Sequence, residues 1–117
     1  MLPIQALNDH FAVAGLLNEQ DMAAVKQAGF KSVIINIPDQ EAGPQQALAA
    51  DVIQAAQQQG LEAVYQPVAP GQLTPEHIHE FAEYLQSLPS PVLAYCRSGI
   101  RCSVLYNAAM QLSNQEE

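Results

Sequence analysis

Four short apolar runs, separated by longer helical patterns, constrain this chain more than any other feature. Phe11-Ala12-Val13-Ala14, Ser32-Val33-Ile34-Ile35-Asn36-Ile37, Leu61 to Val68 and Val92-Leu93-Ala94-Tyr95 each have the length of a strand. The second is β-branched, as a strand buried on both faces should be. Between the runs lie helices. Asn18 reads as an N-cap, with Glu19 and Asp21 at the positive end of the helix dipole, Met22, Val25 and Ala28 inward, and Gly29 at the stop. The spacing of Leu48, Val52 and Ala55 predicts a helix from about Gln45 to Gln59, ended by Gly60. Thr74-Pro75 forms an N-cap and N1 pair, after which Ile78, Phe81, Ala82 and Leu85 repeat at i, i+3, i+4, i+7. Val104, Leu105, Ala108, Ala109 and Leu112 make a final stripe, followed by a polar tail from Asn114 to Glu117. Strand alternating with helix specifies an α/β class: three layers, a four-stranded, mainly parallel sheet, and helices on both faces.

The length, 117 residues, suits one domain over 1–117, and 49% hydrophobic residues suffice for a core. Twelve acidic residues against four basic ones leave a charge of −8, which argues against nucleic acid or an anionic membrane as partner. No apolar run approaches the ~18 residues of a membrane span. Met1-Leu2-Pro3-Ile4-Gln5 has neither a basic nor an apolar leader region, so no secretory signal is expected. Two cysteines are too few for a disulfide framework, and a cytoplasmic chain with free thiols is expected. No Cys/His spacing matches a zinc site, so neither metal nor cofactor is expected. The oligomeric state is not indicated.

The four basic residues are Lys26, Lys31, Arg97 and Arg101, so both arginines fall in one segment beside Cys96. That segment, Cys96-Arg97-Ser98-Gly99-Ile100-Arg101, lies between an apolar strand and a helix, where open α/β folds place their sites. Loop amides of Arg97, Ser98, Gly99 and Ile100 and the helix N-terminus can converge into an anion cradle. A cysteine beneath it should have a lowered pKa and act as a nucleophile. Gly99 permits an unusual dihedral, Ser98 can donate to sulfur or oxyanion, and Arg101 can clamp the oxyanion in a bidentate way. The plain alternative is a buried, small Cys96 with two surface arginines.

This loop resembles the cysteine anion loops of protein tyrosine and dual-specificity phosphatases and of rhodanese sulfurtransferases. From about Ile4 to Leu112 the chain resembles the DUF442 family, the phosphatase-like domain of β-lactamase-hydrolase-like proteins. The matching pieces are Phe11-Ala12-Val13-Ala14-Gly15, Val33 to Glu41, Pro67 to Thr74 and Cys96 to Arg101. The resemblance implies a dual-specificity-phosphatase-like fold. Some members are fused to a metallo-β-lactamase-like domain linked to persulfide oxidation, and members are described as sulfur transferases or as phosphatases.

The chain departs from these patterns in four places. Ile37 stands where many members have Arg, and Tyr95 where phosphatase loops have His. Four residues, not five, separate Cys96 from Arg101, a rhodanese-like spacing that puts Cys102 at the fifth-spaced position. Gln66 to Leu73, the stretch corresponding to the usual acid loop, contains no carboxylate, leaving Asp39 and Glu41 as possible acids or as plain turn residues. Cys102 reads either as a resolving thiol or as a small packed residue. His77 and His79 point to different faces of one helix and cannot chelate together. These features rank sulfane-sulfur transfer first: Cys96 accepts sulfur from thiosulfate or a persulfide and passes it to a thiol acceptor, with Arg97 steering the small anionic substrate. A phosphatase working through cysteinyl-phosphate is the alternative, and a non-catalytic anion or persulfide binding module is the third reading.

Overall fold

The computed structural model describes residues 3–115, with side chains through 112. Five strands form one sheet: β1 (Ile4–Ala6), β2 (Phe11–Ala14), β3 (Ser32–Ile35), β4 (Glu62–Tyr65) and β5 (Val92–Tyr95). Their spatial order is β1-β2-β5-β3-β4. The four expected strands are the parallel ones, and β1 is an additional antiparallel edge strand on β2. Three largely exposed residues carry no apolar alternation, which is why β1 left no sequence signal.

Four helices complete the layers: α1 (Met22–Gln27), α2 (Ala49–Gln58), α3 (Pro75–Ser87) and α4 (Ile100–Gln115). α1 packs on α2, and α3 on α4. The chain steps from β2 to β3 to β4 in one direction, then returns to place β5 between β2 and β3. With right-handed crossovers, that reversal puts the two helix pairs on opposite faces of the sheet. Phe11 to Ala14, Val33 to Ile35 and Val92 to Tyr95 are buried throughout, so both faces of the central strands are covered.

Asn18 caps as expected. Its side chain accepts from the Gln20 amide at 2.9 Å, Asp21 accepts from the Asn18 amide at 2.9 Å, and a short 3-10 turn, Glu19–Asp21, leads into α1. α2 begins at Ala49 rather than Gln45. The Gln46 side chain bonds back to the Ala42 amide and the Pro38 carbonyl, which keeps this stretch a folded turn. Asp39 Oδ1 then accepts from the Ala49 amide at 2.8 Å and fixes the first turn. The strands expected to reach Ile37 and Val68 end at Ile35 and Tyr65, and just beyond them the Asn36 side chain bonds to the Gln66 carbonyl and side chain. α4 continues to Gln115, past Asn114 where the polar tail was expected, and the rest of that tail lies outside the described residues.

Candidate active site

The return of β5 into the middle of the sheet sets the loop after Tyr95 at the topological switch point. Its neighbours anchor it. The Cys96 amide donates to the Ala14 carbonyl at 3.2 Å, and the Asn36 amide donates to the Tyr95 carbonyl at 2.9 Å. The loop turns at Gly99, whose φ of +90° suits glycine. A Cβ there would stand 3.5 Å from the Ala14 backbone, so the residue also allows the loop to lie close on β2. The Ser103 amide donates to the Gly99 carbonyl at 3.0 Å, and α4 starts directly from the turn.

Cys96 is buried at the base of this turn, and its sulfur accepts from the Gly99 amide at 3.1 Å. A hydrogen bond from the Cys102 thiol, joined by the Cys102, Ser98 and Gly99 amides, outweighs burial and lowers the Cys96 pKa to about 5. At neutral pH the sulfur is therefore a thiolate. Burial in the first place, and the adjacent Cys96 sulfur in the second, push the Cys102 thiol well above its ordinary value. The two cysteines thus divide into an ionised sulfur and a proton donor.

Arg101 sits in the first turn of α4. Its Nη1 donates to Glu41 Oε1 and to the Val68 carbonyl, each at 3.0 Å, and its Nη2 donates to Glu41 Oε2 at 2.9 Å. A guanidinium has five N–H donors. The three used here leave the Nε–H and one Nη2–H, which share the other edge of the fork. That edge is unpartnered among the described residues and is the one able to take an oxyanion in a bidentate way. Glu41 spends both oxygens on Arg101, and Asp39 uses one on the Ala49 amide while its own amide donates to the Tyr65 hydroxyl at 2.9 Å.

Arg97 is exposed at the rim, and its carbonyl lies 3.4 Å from where a Cβ on Gly15 would stand. Ser98 Oγ lies 3.5 Å from the Ile100 amide, so its hydroxyl faces its own turn. His77 is part of the α3 cap, accepting from the Thr74 amide at 3.1 Å, while His79 is exposed. Tyr95 is buried under the loop, and that burial in the first place, with Asp39 and Asp21 adding to it, holds its hydroxyl in the neutral form.

Sequence reasoning missed the layer behind the cysteines. The Cys102 thiol donates to Asn36 Oδ1 at 3.3 Å. Asn36 Nδ2 donates to the carbonyl and the Oε1 of Gln66, both at 3.0 Å, and Gln66 Nε2 donates to the His77 carbonyl at 2.9 Å. Asn36 and Gln66 are both fully buried. Their signal was present as a polar residue near the end of each of two apolar strand runs.

Comparison with known proteins agrees with the fold. The model of the family described as "Beta-lactamase hydrolase-like protein, phosphatase-like domain" matches residues 3–113. A beta-lactamase hydrolase-like protein of Agrobacterium fabrum is 30% identical over 100 residues, covering 86% of this chain and 23% of its own length. The chain therefore spans about a quarter of that curated relative. The crystal structure of a candidate phosphatase from Neisseria meningitidis superposes with a TM-score of 0.78 at 31% identity, over 91% of this chain and 75% of the other. The core catalytic domain of the PP-IP phosphatase SIW14 of S. cerevisiae shares the fold with a TM-score of 0.70, at 14% identity, over 96% of this chain and 67% of the other. The chain belongs to the family of phosphatase-like domains of beta-lactamase hydrolase-like proteins.

Proposed function

We propose that this domain hydrolyses phosphomonoesters through a cysteinyl-phosphate on Cys96. The observation that carries the reading is the pairing, around one loop, of an ionised Cys96 sulfur with an Arg101 edge left open by Glu41. Sulfur attacks phosphorus in line, an S–P bond forms, and the P–O ester bond breaks with its electron pair on the leaving oxygen. Loop amides and the open edge of Arg101 hold the remaining oxygens, and Arg97 draws the anion to an otherwise acidic surface. Water then attacks phosphorus, inorganic phosphate leaves, and the thiolate is restored.

The leaving oxygen sets the substrate. An alkoxide needs a proton from an acid, whereas a phenolate leaves without one. Glu41 is committed to Arg101, and Asp39 is exposed and engaged with α2, so activated aryl esters suit this site better than alkyl esters. The family match and the N. meningitidis relative favour hydrolysis over the sulfur transfer expected from loop length. The four-residue spacing between Cys96 and Arg101 still supports sulfur transfer as a second reading. In that reaction Cys96 attacks the sulfane sulfur of thiosulfate, an S–S bond forms, sulfite leaves, and the persulfide passes its outer sulfur to a thiol acceptor.

Assaying aryl phosphate, alkyl phosphate and thiosulfate:cyanide turnover on one sample and on its Cys96→Ser variant tests the ranking. Aryl-phosphate hydrolysis that exceeds alkyl-phosphate hydrolysis by about 100-fold, and that disappears in Cys96→Ser, is expected. Sulfur transfer without phosphate release would reverse the order. Turnover unaffected by Cys96→Ser would remove both chemistries from Cys96, and absence of all three activities in the parent protein would leave an anion-binding module.

A further inference from the structure

Asn36 follows β3, is buried, and has a partner for every polar group. Its amide donates to the Tyr95 carbonyl at 2.9 Å, and its carbonyl accepts from the Val68 amide at 3.0 Å. Its Nδ2 faces two oxygens of Gln66, and the Nε2 of Gln66 donates to the His77 carbonyl in the first turn of α3. Each side-chain amide is thereby fixed in orientation by the next, because turning either one would set oxygen against oxygen. What remains for Asn36 Oδ1 is the Cys102 thiol at 3.3 Å, its one donor among the described residues.

Buried polar groups are costly unless bonded, so this layer works only as a connected set. In the free protein the Cys102 S–H has a stronger acceptor than Oδ1, since a bond to an ionised sulfur outweighs one to a neutral amide oxygen. When phosphorus joins the Cys96 sulfur, that sulfur gives up its charge and becomes a poor acceptor. The Cys102 S–H then reaches Oδ1 by turning about its Cβ–Sγ bond, and no proton changes owner.

We propose that Asn36 is a positioning residue for the reaction: it accepts the Cys102 thiol while Cys96 carries phosphorus and releases it as the S–P bond breaks. The inference rests on the cysteinyl-phosphate reading above and adds what balances the ester against the thiolate. Gln66, and through it the start of α3, keeps the acceptor aimed at Cys102.

Two measurements on the full chain test it. At saturating aryl phosphate, the ratio of phosphorylated to free Cys96 equals the rate of ester formation over the rate of its breakdown. Acid quench and peptide mass spectrometry read that ratio. Asn36→Leu removes the acceptor and is expected to lower the ratio about fivefold, without raising the pH midpoint of Cys96 alkylation. Cys102→Ala removes the donor to the thiolate and is expected to raise the ratio. In the Cys102→Ala background, Asn36→Leu should change nothing further, because Asn36 acts only through that S–H. A fivefold fall that persists without Cys102, or an unchanged ratio in Asn36→Leu, would overturn the proposal.

The second measurement leaves Asn36 in place. At neutral pH Cys96 is ionised, so the infrared S–H stretch belongs to Cys102. That band should shift when Cys96 is alkylated with iodoacetamide, since a thioether, like the ester, is a poor acceptor and the S–H turns to Oδ1. A band that stays in place would overturn the proposal even if Asn36→Leu fails to fold. Absence of any phosphoryl group on Cys96 in the parent protein would bring down the phosphatase reading, and the part of Asn36 in it, whatever the band does.

Discussion

Arg101 places its two terminal nitrogens on the two oxygens of Glu41, at 3.0 and 2.9 Å, and so ties the start of α4 to the loop after β3. The pair is largely shielded from solvent, with 16% and 11% of the side chains exposed, and Val68 supplies a third acceptor. It leaves one edge of the guanidinium, the Nε–H and an Nη2–H, without a partner among the described residues. Glu41→Gln keeps the shape and removes the charge. The expected cost is about 1–2 kcal/mol, lowering the melting temperature by roughly 5–10 °C. Aryl-phosphate turnover should fall by about tenfold or more, because the open edge is no longer held. Calorimetry and steady-state kinetics check this, and a melting point unchanged in Glu41→Gln would contradict it.

The ionisation of Cys96 gives a pH dependence with a definite sign. Its pKa is lowered to about 5 by the Cys102 thiol and by loop amides, against burial. Alkylation of Cys96 should rise through pH 5 and be nearly flat from pH 6 to 8, and the acid limb of turnover should follow the same group. A free cysteine would instead gain reactivity toward its ordinary pKa of about 8.5. Cys102, buried with a raised pKa, should label far more slowly. Rate of carbamidomethylation against pH, read by peptide mass spectrometry, separates the two cysteines.

The single proton of the Cys102 thiol has two acceptors, the Cys96 sulfur and Asn36 Oδ1. It favours the first when Cys96 is ionised and the second when Cys96 is neutral. Cys102→Ala therefore removes a donor to the thiolate and should raise the Cys96 midpoint by about one unit or more. Cys102→Ser keeps a donor and should move it little. Asn36→Leu removes the competing acceptor and should shift the midpoint down or leave it in place. A rise in Cys102→Ser as large as in Cys102→Ala would show that space, and not the proton, is what Cys102 provides.

Much of this arrangement was legible in the chain. The four parallel strands announced themselves by length and apolar content, and the Cys96 loop by a glycine and two arginines on the carboxyl side of a strand. Asn18 and Thr74 marked helix starts through a mechanism, side-chain acceptance of orphan amides, that works locally. What escaped was non-local. The Arg101–Glu41 pair joins residues 60 apart, and Cys102 meets Asn36 across 66. Glu41 read equally well as a turn residue or an acid because only the fold brings it to a guanidinium. β1 is too short for any periodicity, and the start of α2 was hidden by the bonds of the Gln46 side chain to loop backbone.

The central claim is that phosphorus is transferred to the Cys96 sulfur, and trapping that adduct tests it most directly. The protein is mixed with an aryl phosphate, quenched in acid within the first turnover, and its peptides are weighed. A gain of one phosphoryl group on the peptide carrying Cys96, absent in Cys96→Ser, is the expected result. A Cys96 peptide that never gains phosphorus, but gains one sulfur atom when thiosulfate replaces the aryl phosphate, would contradict it.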